Sequence, residues 1–156
     1  MQNYEHLLAQ LLSQEEEIQF RAFGNDDALL LGMKLVNRAK ADGKSITVDI
    51  CRNGQQLFHC ALPGTSADND AWIRRKNNVV NRYGHSSFYV GMQFRSNNTT
   101  FEQSSRLDID QYAAHGGAFP IIVHNVGVVG TVTVSGLPQE EDHRLVVDVL
   151  REFLAG

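Results

Sequence analysis

Two hairpin signals constrain the fold of this chain more than any other feature of its sequence. Residues 46–51 and 55–61 flank Asn53 and Gly54, the pair favoured in a two-residue type I′ turn. Residues 119–124 and 128–135 are rich in β-branched side chains and flank a second turn at 125–127. Because hairpin strands run antiparallel and helical patterns fill the segments between them, the sequence predicts an α+β fold, an antiparallel sheet covered by helices.

Apolar residues recur at helical spacing in the segments outside the hairpins. We expect helices at residues 3–18, from a cap at Asn25 or Asp26 to Gly43, from a cap at Asp68 or Asn69 to near Gly84, at residues 86–95, and after Pro138. A short strand is predicted at residues 19–23. Residues 96–117 are polar and irregular, and no regular element is predicted there.

Length and charge narrow the class of protein. The 156 residues are expected to form one domain, 1–156, in which 1–18 is an N-terminal helix. With 14 basic against 18 acidic residues the net charge is −4, which argues against nucleic acid or an anionic membrane surface as the main partner. No apolar run approaches the roughly 20 residues that a membrane span needs. Residues 1–10 lack a signal-peptide pattern, so we expect a cytoplasmic protein.

The predicted register of the first hairpin separates the two cysteines. If Arg52 pairs with Gln55, Cys51 lies opposite Gln56, and Cys60 lies four residues further along that strand. The separation is then about 13 Å, whereas a disulfide needs Cα atoms within about 7 Å. We therefore expect two reduced, packed thiols, and no metal site, since the chain has no CxxC or HExxH motif.

A lysine interrupts the apolar stripe of the third helix. Lys76 falls in the gap between Trp72, Val79 and Tyr83. A lysine on such a face costs free energy unless its ammonium reaches water or a carboxylate. One hypothesis is a snorkelling side chain or a structural ion pair, and the other is a cationic anchor for an anionic ligand group.

Three histidines have contexts that suggest a site. His85 follows the end of the third helix, and His115 precedes Gly116 and Gly117, where a ligand or another backbone could approach closely. His143 lies among carboxylates at the start of the last helix, which would favour its protonated form and makes it a candidate acid or base. The candidate ligand-binding residues are therefore Lys76, His85, His115 and His143.

The segment from residue 115 to residue 143 carries three short motifs that resemble the haem-degrading-domain family. They are Gly116-Gly117 with Pro120-Ile121, Val128-Val129-Gly130, and Val134-Ser135-Gly136. The family includes haem-binding sensor accessory proteins, a glycolate-operon accessory protein and the C-terminal module of some cobalamin adenosyltransferases. Four sequence segments are similar to segments of uncharacterised protein family 0303: DNDAWIRRK, GHSSFY, YAAHGG and GLPQEEDH.

This resemblance implies a five-stranded antiparallel sheet with flanking helices, in a profilin-like arrangement, and homo-oligomers such as octamers. It also makes haem a candidate cofactor, with His115 as the axial ligand that we favour, because the adjacent glycines allow close access. The first hypothesis is a cytoplasmic, homo-oligomeric small-ligand-binding or accessory protein. The alternatives are an enzyme that acts on haem or on a small anionic metabolite through His143, and an interaction scaffold without a ligand.

Overall fold

The computed structural model describes residues 3–156 and contains six helices and four strands. In chain order these are α1 (Tyr4–Glu17), α2 (Asn25–Ala41), β1 (Thr47–Arg52), β2 (Gln55–Ala61), α3 (Ala67–Tyr83), α4 (Ser87–Ser96), α5 (Phe101–Ser105), β3 (Ala118–Val123), β4 (Gly127–Ser135) and α6 (Gln139–Ala155). None of the helices in residues 3–156 combines the length and hydrophobicity of a membrane span.

The four strands form one antiparallel sheet in the order β2-β1-β4-β3, which confirms the predicted α+β class. Next to the turn, the register of the first hairpin is the one predicted, because Arg52 pairs with Gln55 and Cys51 with Gln56; a shift then places Ile50 opposite Phe58. Its turn residue Asn53 and the following glycine have φ values of 51° and 82°, as a type I′ turn requires. Cys60 lies opposite Val48, and neither thiol is in a disulfide.

The fifth strand expected from the resemblance is absent from the described residues, and the prediction of a strand at 19–23 is wrong. Only Phe20 pairs there: its amide donates to Ile122 O at 2.8 Å, and its carbonyl accepts from the His124 amide at 2.8 Å. The chain then turns into α2, since the Gly24 amide donates to the Asp27 carboxylate at 2.7 Å. The segment is too short to extend the ladder, and its phenylalanines are buried in the core instead.

The two faces of the sheet differ in chemistry. One face is apolar and packs against α2 and α6, through Val48 and Ile50 on β1 and Val132 and Val134 on β4. The opposite face is polar and buried beneath α3, and it carries Thr47, Asp49, Thr131, Thr133 and Ser135. Because successive side chains of a strand point to opposite faces, the alternation of valine and threonine in β4 produces both surfaces.

Helix α3 is held on the polar face by directed hydrogen bonds. Asn69 donates to Ser135 Oγ at 3.2 Å, and Asn77 donates to Asp49 Oδ2 at 3.3 Å. The Thr133 hydroxyl donates to the side-chain oxygen of Asn77. These contacts fix the helix along β4 and so position the residues on its flanks.

Three helix boundaries correct or confirm the expectations. Helix α3 is capped by Ser66, two or three residues before the expected caps, in a reciprocal arrangement with Asn69. Helix α2 is capped at Gly24 instead of at residue 25 or 26. Helix α3 ends at Gly84 in the left-handed conformation, as expected, with φ of 74°. Helix α4 includes Ser96, and residues 97–117 are irregular except for the short helix α5.

Adjacent leucines of α2 allow a direct test of the core. Leu31 has no exposed surface, whereas the Leu30 side chain is 63% exposed. We expect Leu31→Ala to lower the free energy of unfolding by about 2–5 kcal/mol, because it leaves a cavity. Leu30→Ala should change it by no more than about 0.5 kcal/mol. Urea denaturation of both variants checks this, and equal losses would contradict the assigned helix face.

Candidate functional site

A cleft of about 320 Å³ opens between the first half of α3, the loop before β3 and the start of α6. Its wall includes Trp72, Lys76, His115, Gly116 and Asp142. Helix α3 supplies the first two side chains, which lie one turn apart on the same stripe. The structure therefore brings two of the four predicted site residues, Lys76 and His115, to one cleft.

The Lys76 side chain is 2% exposed, and its ammonium contacts three acceptors. Nζ lies 2.7 Å from Val134 O, 3.1 Å from Gly116 O and 3.5 Å from Asp142 Oδ2. These acceptors belong to β4, to the loop before β3 and to α6. One side chain therefore joins α3 to three other segments, and its donors are used within the protein.

Burial disfavours the charged forms of Lys76 and Asp142, and the contact between the two side chains favours them. Desolvation lowers the pKa of Lys76, while the Asp142 carboxylate acts in the opposite direction. Desolvation also raises the pKa of Asp142 to about 6, against the favourable effects of Lys76 and of the Leu137 amide, which donates to its Oδ1 at 3.1 Å. Three acceptors around Nζ suit the three donors of an ammonium, which favours the charged form of Lys76.

The Gly-Gly pair after His115 has a structural reason. A side chain on Gly117, whose φ is 135°, would overlap with the Lys76 ammonium and with Val134 O. A side chain on Gly116 would overlap with the backbone of Gln139 at the start of α6. The glycines therefore allow close approach of the protein's own backbone and of the lysine.

His115 is half-buried at the cleft, and its ring meets Trp72 edge-on, with centroids 5.2 Å apart and planes at 74°. The Arg75 guanidinium lies 4.2 Å from the centroid of the same indole. Burial lowers the pKa of His115; Glu102 opposes this shift, and Lys76 and nearby arginines add to it. The imidazole is therefore neutral at pH 7 and retains a lone pair.

His85 and His143 lie outside this cleft, against helix α1. His143 Nε2 lies 2.8 Å from Gln14 Oε1, so the Nε2–H tautomer donates to that amide oxygen. His85 Nδ1 lies 2.7 Å from Glu15 Oε1, and the other oxygen of this carboxylate accepts from the Ser86 amide at 3.1 Å. These two histidines therefore contact neighbouring residues of α1 and dock that helix.

The expectation that carboxylates favour protonated His143 is wrong. Its side chain is 4% exposed, and its ring lies 5.1 Å from that of Phe88. Burial lowers its pKa to about 4, and the charge of Arg151 adds to the shift. Of the neighbouring acidic residues, Glu140 and Glu141 are exposed, and Asp142 is directed to Lys76.

Two features of the cleft were not identified from the sequence. Asp142 is the counter-ion of Lys76, but three adjacent acidic residues begin α6 and all of them suit the helix dipole. Trp72 is a wall of the cleft, although its position in the stripe suggested a core residue. Because a buried lysine needs a carboxylate nearby, a counter-ion for Lys76 could have been expected. The sequence alone did not show which of the three acidic residues of α6 supplies it.

Comparison with known proteins identifies the family of this chain. A family model described as haem degrading protein HbpS-like matches residues 23–151. The chain belongs to this family. Helix α1 precedes the matched region, so the partners of His85 and His143 lie outside it.

Relatives and solved structures agree with this assignment. A UPF0303 protein of Streptomyces coelicolor is 60% identical over 147 residues, which cover 94% of this chain and 93% of the relative. The crystal structure of the Ybr137w protein is 36% identical, with a TM-score of 0.88 over 95% of this chain and 88% of that one. The structure of PduOC in complex with haem shares the fold at 15% identity, with a TM-score of 0.69 over 83% and 94%.

The buried ion pair gives the first test of the site. We expect Lys76→Met to lower the free energy of unfolding by about 3–5 kcal/mol, because it leaves the Asp142 carboxylate buried without its counter-charge. The double variant Lys76→Met/Asp142→Asn removes that charge and should recover part of the loss. Urea denaturation at pH 7.5 measures both, and a single variant as stable as the wild type would refute the structural role of the pair.

His143 gives a pH-dependent test. Its pKa is about 4 in the folded protein, below the ordinary 6.5, so the unfolded chain binds a proton that the folded chain excludes. This contribution to stability is complete above pH 6.5 and falls by about 3 kcal/mol as the pH drops to 4. Asp142, with its pKa raised to about 6, has the opposite sign, since stability falls as the pH rises from 3.8 to 6.

The difference between wild type and His143→Gln therefore isolates the histidine. It should shrink as the pH is lowered from 7 to 4.5 in urea denaturation series. His6→Gln, which changes an exposed residue of α1, is the control and should give a nearly constant difference. A constant difference for His143→Gln as well would contradict a buried neutral imidazole.

Proposed function

We propose that this protein is a cytoplasmic, homo-oligomeric ligand-binding or accessory protein, that the cleft between Trp72 and His115 is its binding site, and that haem is its ligand. The observation that carries the proposal is the neutral, half-exposed imidazole of His115 on a cleft wall beside a tryptophan. Neutral imidazole is the usual protein ligand of haem iron.

The residues present fit an iron porphyrin in three respects. His115 offers a nitrogen donor, and Trp72 and Leu137 offer apolar surface at the cleft. Arg95 is near enough to act on the pKa of His115, and an arginine suits the propionate groups of a porphyrin. Bound haem would supply iron-centred redox and ligand chemistry, while the protein holds and shields it.

Lys76 has a positioning role in this proposal. Its ammonium is committed to Gly116 O, Val134 O and Asp142, so it holds the loop that carries His115. Its positive charge also helps to keep the imidazole neutral. His85 and His143 remain predicted ligand residues, but they contact α1, and we assign the ligand to the cleft of His115.

The size of the cleft favours an assembly. About 320 Å³ lies at the lower end of the roughly 300–1,000 Å³ typical of small-molecule sites, so one chain covers a porphyrin only in part. A second copy would complete the enclosure. Helix α2 exposes Leu29 and Met33, one turn apart, which supports self-association. The two unbridged thiols fit a reducing compartment.

Two comparisons support haem as the ligand to test. The family model is described as haem degrading, and the structural neighbour PduOC was solved with haem. The alternative of an enzyme that uses His143 as acid or base receives less support. That imidazole is almost fully buried, and its Nε2 is bonded to Gln14.

Haem titration tests the proposal. The wild type should give a saturable shift of the Soret band, and His115→Ala should lose it or weaken binding at least tenfold, because the iron loses its axial nitrogen. His124→Ala, which changes an exposed histidine, should bind as the wild type does. Size-exclusion chromatography with light scattering on the same samples gives the oligomer mass and the haem content per subunit.

Three results would count against the proposal. Equally weak Soret spectra for the wild type and for His115→Ala would exclude ligation by His115. A stable oligomer that takes up no haem would favour the scaffold alternative. A monomer with full haem affinity would refute the shared enclosure.

A further inference from the structure

A second cleft, of about 450 Å³, lies at the opposite end of β4 from the cleft of His115. Its walls are the start of β4, the Asn53–Gly54 turn, the second half of α3 and the loop at Asp110 and Gln111. Asn78 donates to Gln111 O at 2.8 Å, which fixes that loop against the helix. The cavity is therefore enclosed by ordered elements on all of these sides.

The floor of this second cleft contains an unsatisfied buried hydroxyl. Ser135, Thr133 and Thr131 follow each other on the polar face of β4. The first two bond to Asn69 and Asn77 of α3. Thr131 is 1% exposed and lines the cleft, and its hydroxyl has no hydrogen-bond partner within residues 3–156.

Two hydroxyls of the polar face, those of Thr47 and Thr131, have no partner within residues 3–156, and Thr131 also lines the second cleft, which points to a ligand there. Buried hydroxyls in folded proteins are nearly always paired, since an unpaired one keeps the full cost of its desolvation. Thr131 lies where α3 no longer supplies a partner and where the cleft opens. Arg75, also on the cleft wall, has a buried Nε that likewise lacks a partner in the described part of the chain.

The charge of the second cleft is positive. Arg74 and Arg75 line it, against one carboxylate, that of Asp110. The Cys51 thiol adds no negative charge, because burial and the Asp49 carboxylate raise its pKa to about 12. Arginine forms paired hydrogen bonds with the oxygens of carboxylates and phosphates.

We propose that the second cleft binds a small metabolite that carries a carboxylate or phosphate group, with Thr131, Arg74 and Arg75 as its donors. A volume of about 450 Å³ suits a molecule of the size of a sugar acid or sugar phosphate. This site is separate from the haem proposal, since it shares no lining residue with the cleft of His115.

The test uses four probes on the full chain: inorganic phosphate, gluconate, glucose 6-phosphate and the neutral polyol sorbitol. Isothermal titration calorimetry and thermal unfolding measure binding. At least one of the three anions should bind and raise the Tm, while sorbitol, the uncharged counterpart of gluconate, should not. The anion that binds most tightly distinguishes a carboxylate from a phosphate head group.

Two variants locate the binding. Thr131→Val keeps the shape of the side chain and removes the hydroxyl, and Arg74→Gln removes an exposed charge. Each variant should lower the affinity for the bound anion at least tenfold. Arg144→Gln, an exposed arginine of α6, is the control for net charge and should bind as the wild type does.

Stability separates a binding role from a structural one. Without probe, Thr131→Val should unfold at a Tm no lower than the wild type, because it removes a buried hydroxyl that has no partner. A lower Tm together with unchanged anion affinity would overturn the proposal. So would the absence of binding by every anion, or equal binding of sorbitol and gluconate. Haem titration of Thr131→Val should match the wild type, so failure of either proposal is recognised independently.

Discussion

The buried ammonium of Lys76 is the interaction on which the arrangement around the cleft of His115 depends. A charge in this position requires acceptors from every side, and they come from β4, from the loop before β3 and from α6. The need for close approach explains Gly117, whose Cβ would occupy the space of the ammonium. It also explains why Asp142 is directed inwards when its acidic neighbours remain in solvent.

The parts of the fold that local chemistry determines could be predicted from the sequence. The Asn53–Gly54 turn defined a hairpin and its register, and the pairing of Cys51 with Gln56 followed. The strand expected at 19–23 failed because its β-like composition reflects two phenylalanines in the core, a tertiary effect that local patterns do not reveal. The fifth strand implied by the resemblance is absent from residues 3–156, in which Phe20 makes only an isolated bridge to Val123.

The candidate site was predicted in part, for a related reason. The neighbouring residues in the sequence made both His115 and His143 candidate site residues, but the two side chains differ in their exposure. His115 is half-exposed at a cleft, whereas His143 is enclosed by Phe88, Phe119 and helix α1. Which histidine faces a cavity depends on how distant elements pack. The second cleft has no local signature either, because Thr131 differs from Thr133 only in lacking a partner on α3.

The contrast between the two faces of the sheet has a consequence for how the sequence can evolve. Beneath α2 and α6 the contacts are apolar, so exchanges that conserve volume are tolerated and one position can drift independently of the next. Beneath α3 each contact pairs one donor with one acceptor, as Asn77 does with Asp49 and Thr133. Substitutions there must occur in matched pairs, so covariation among homologues should concentrate on the polar face and be sparse on the other.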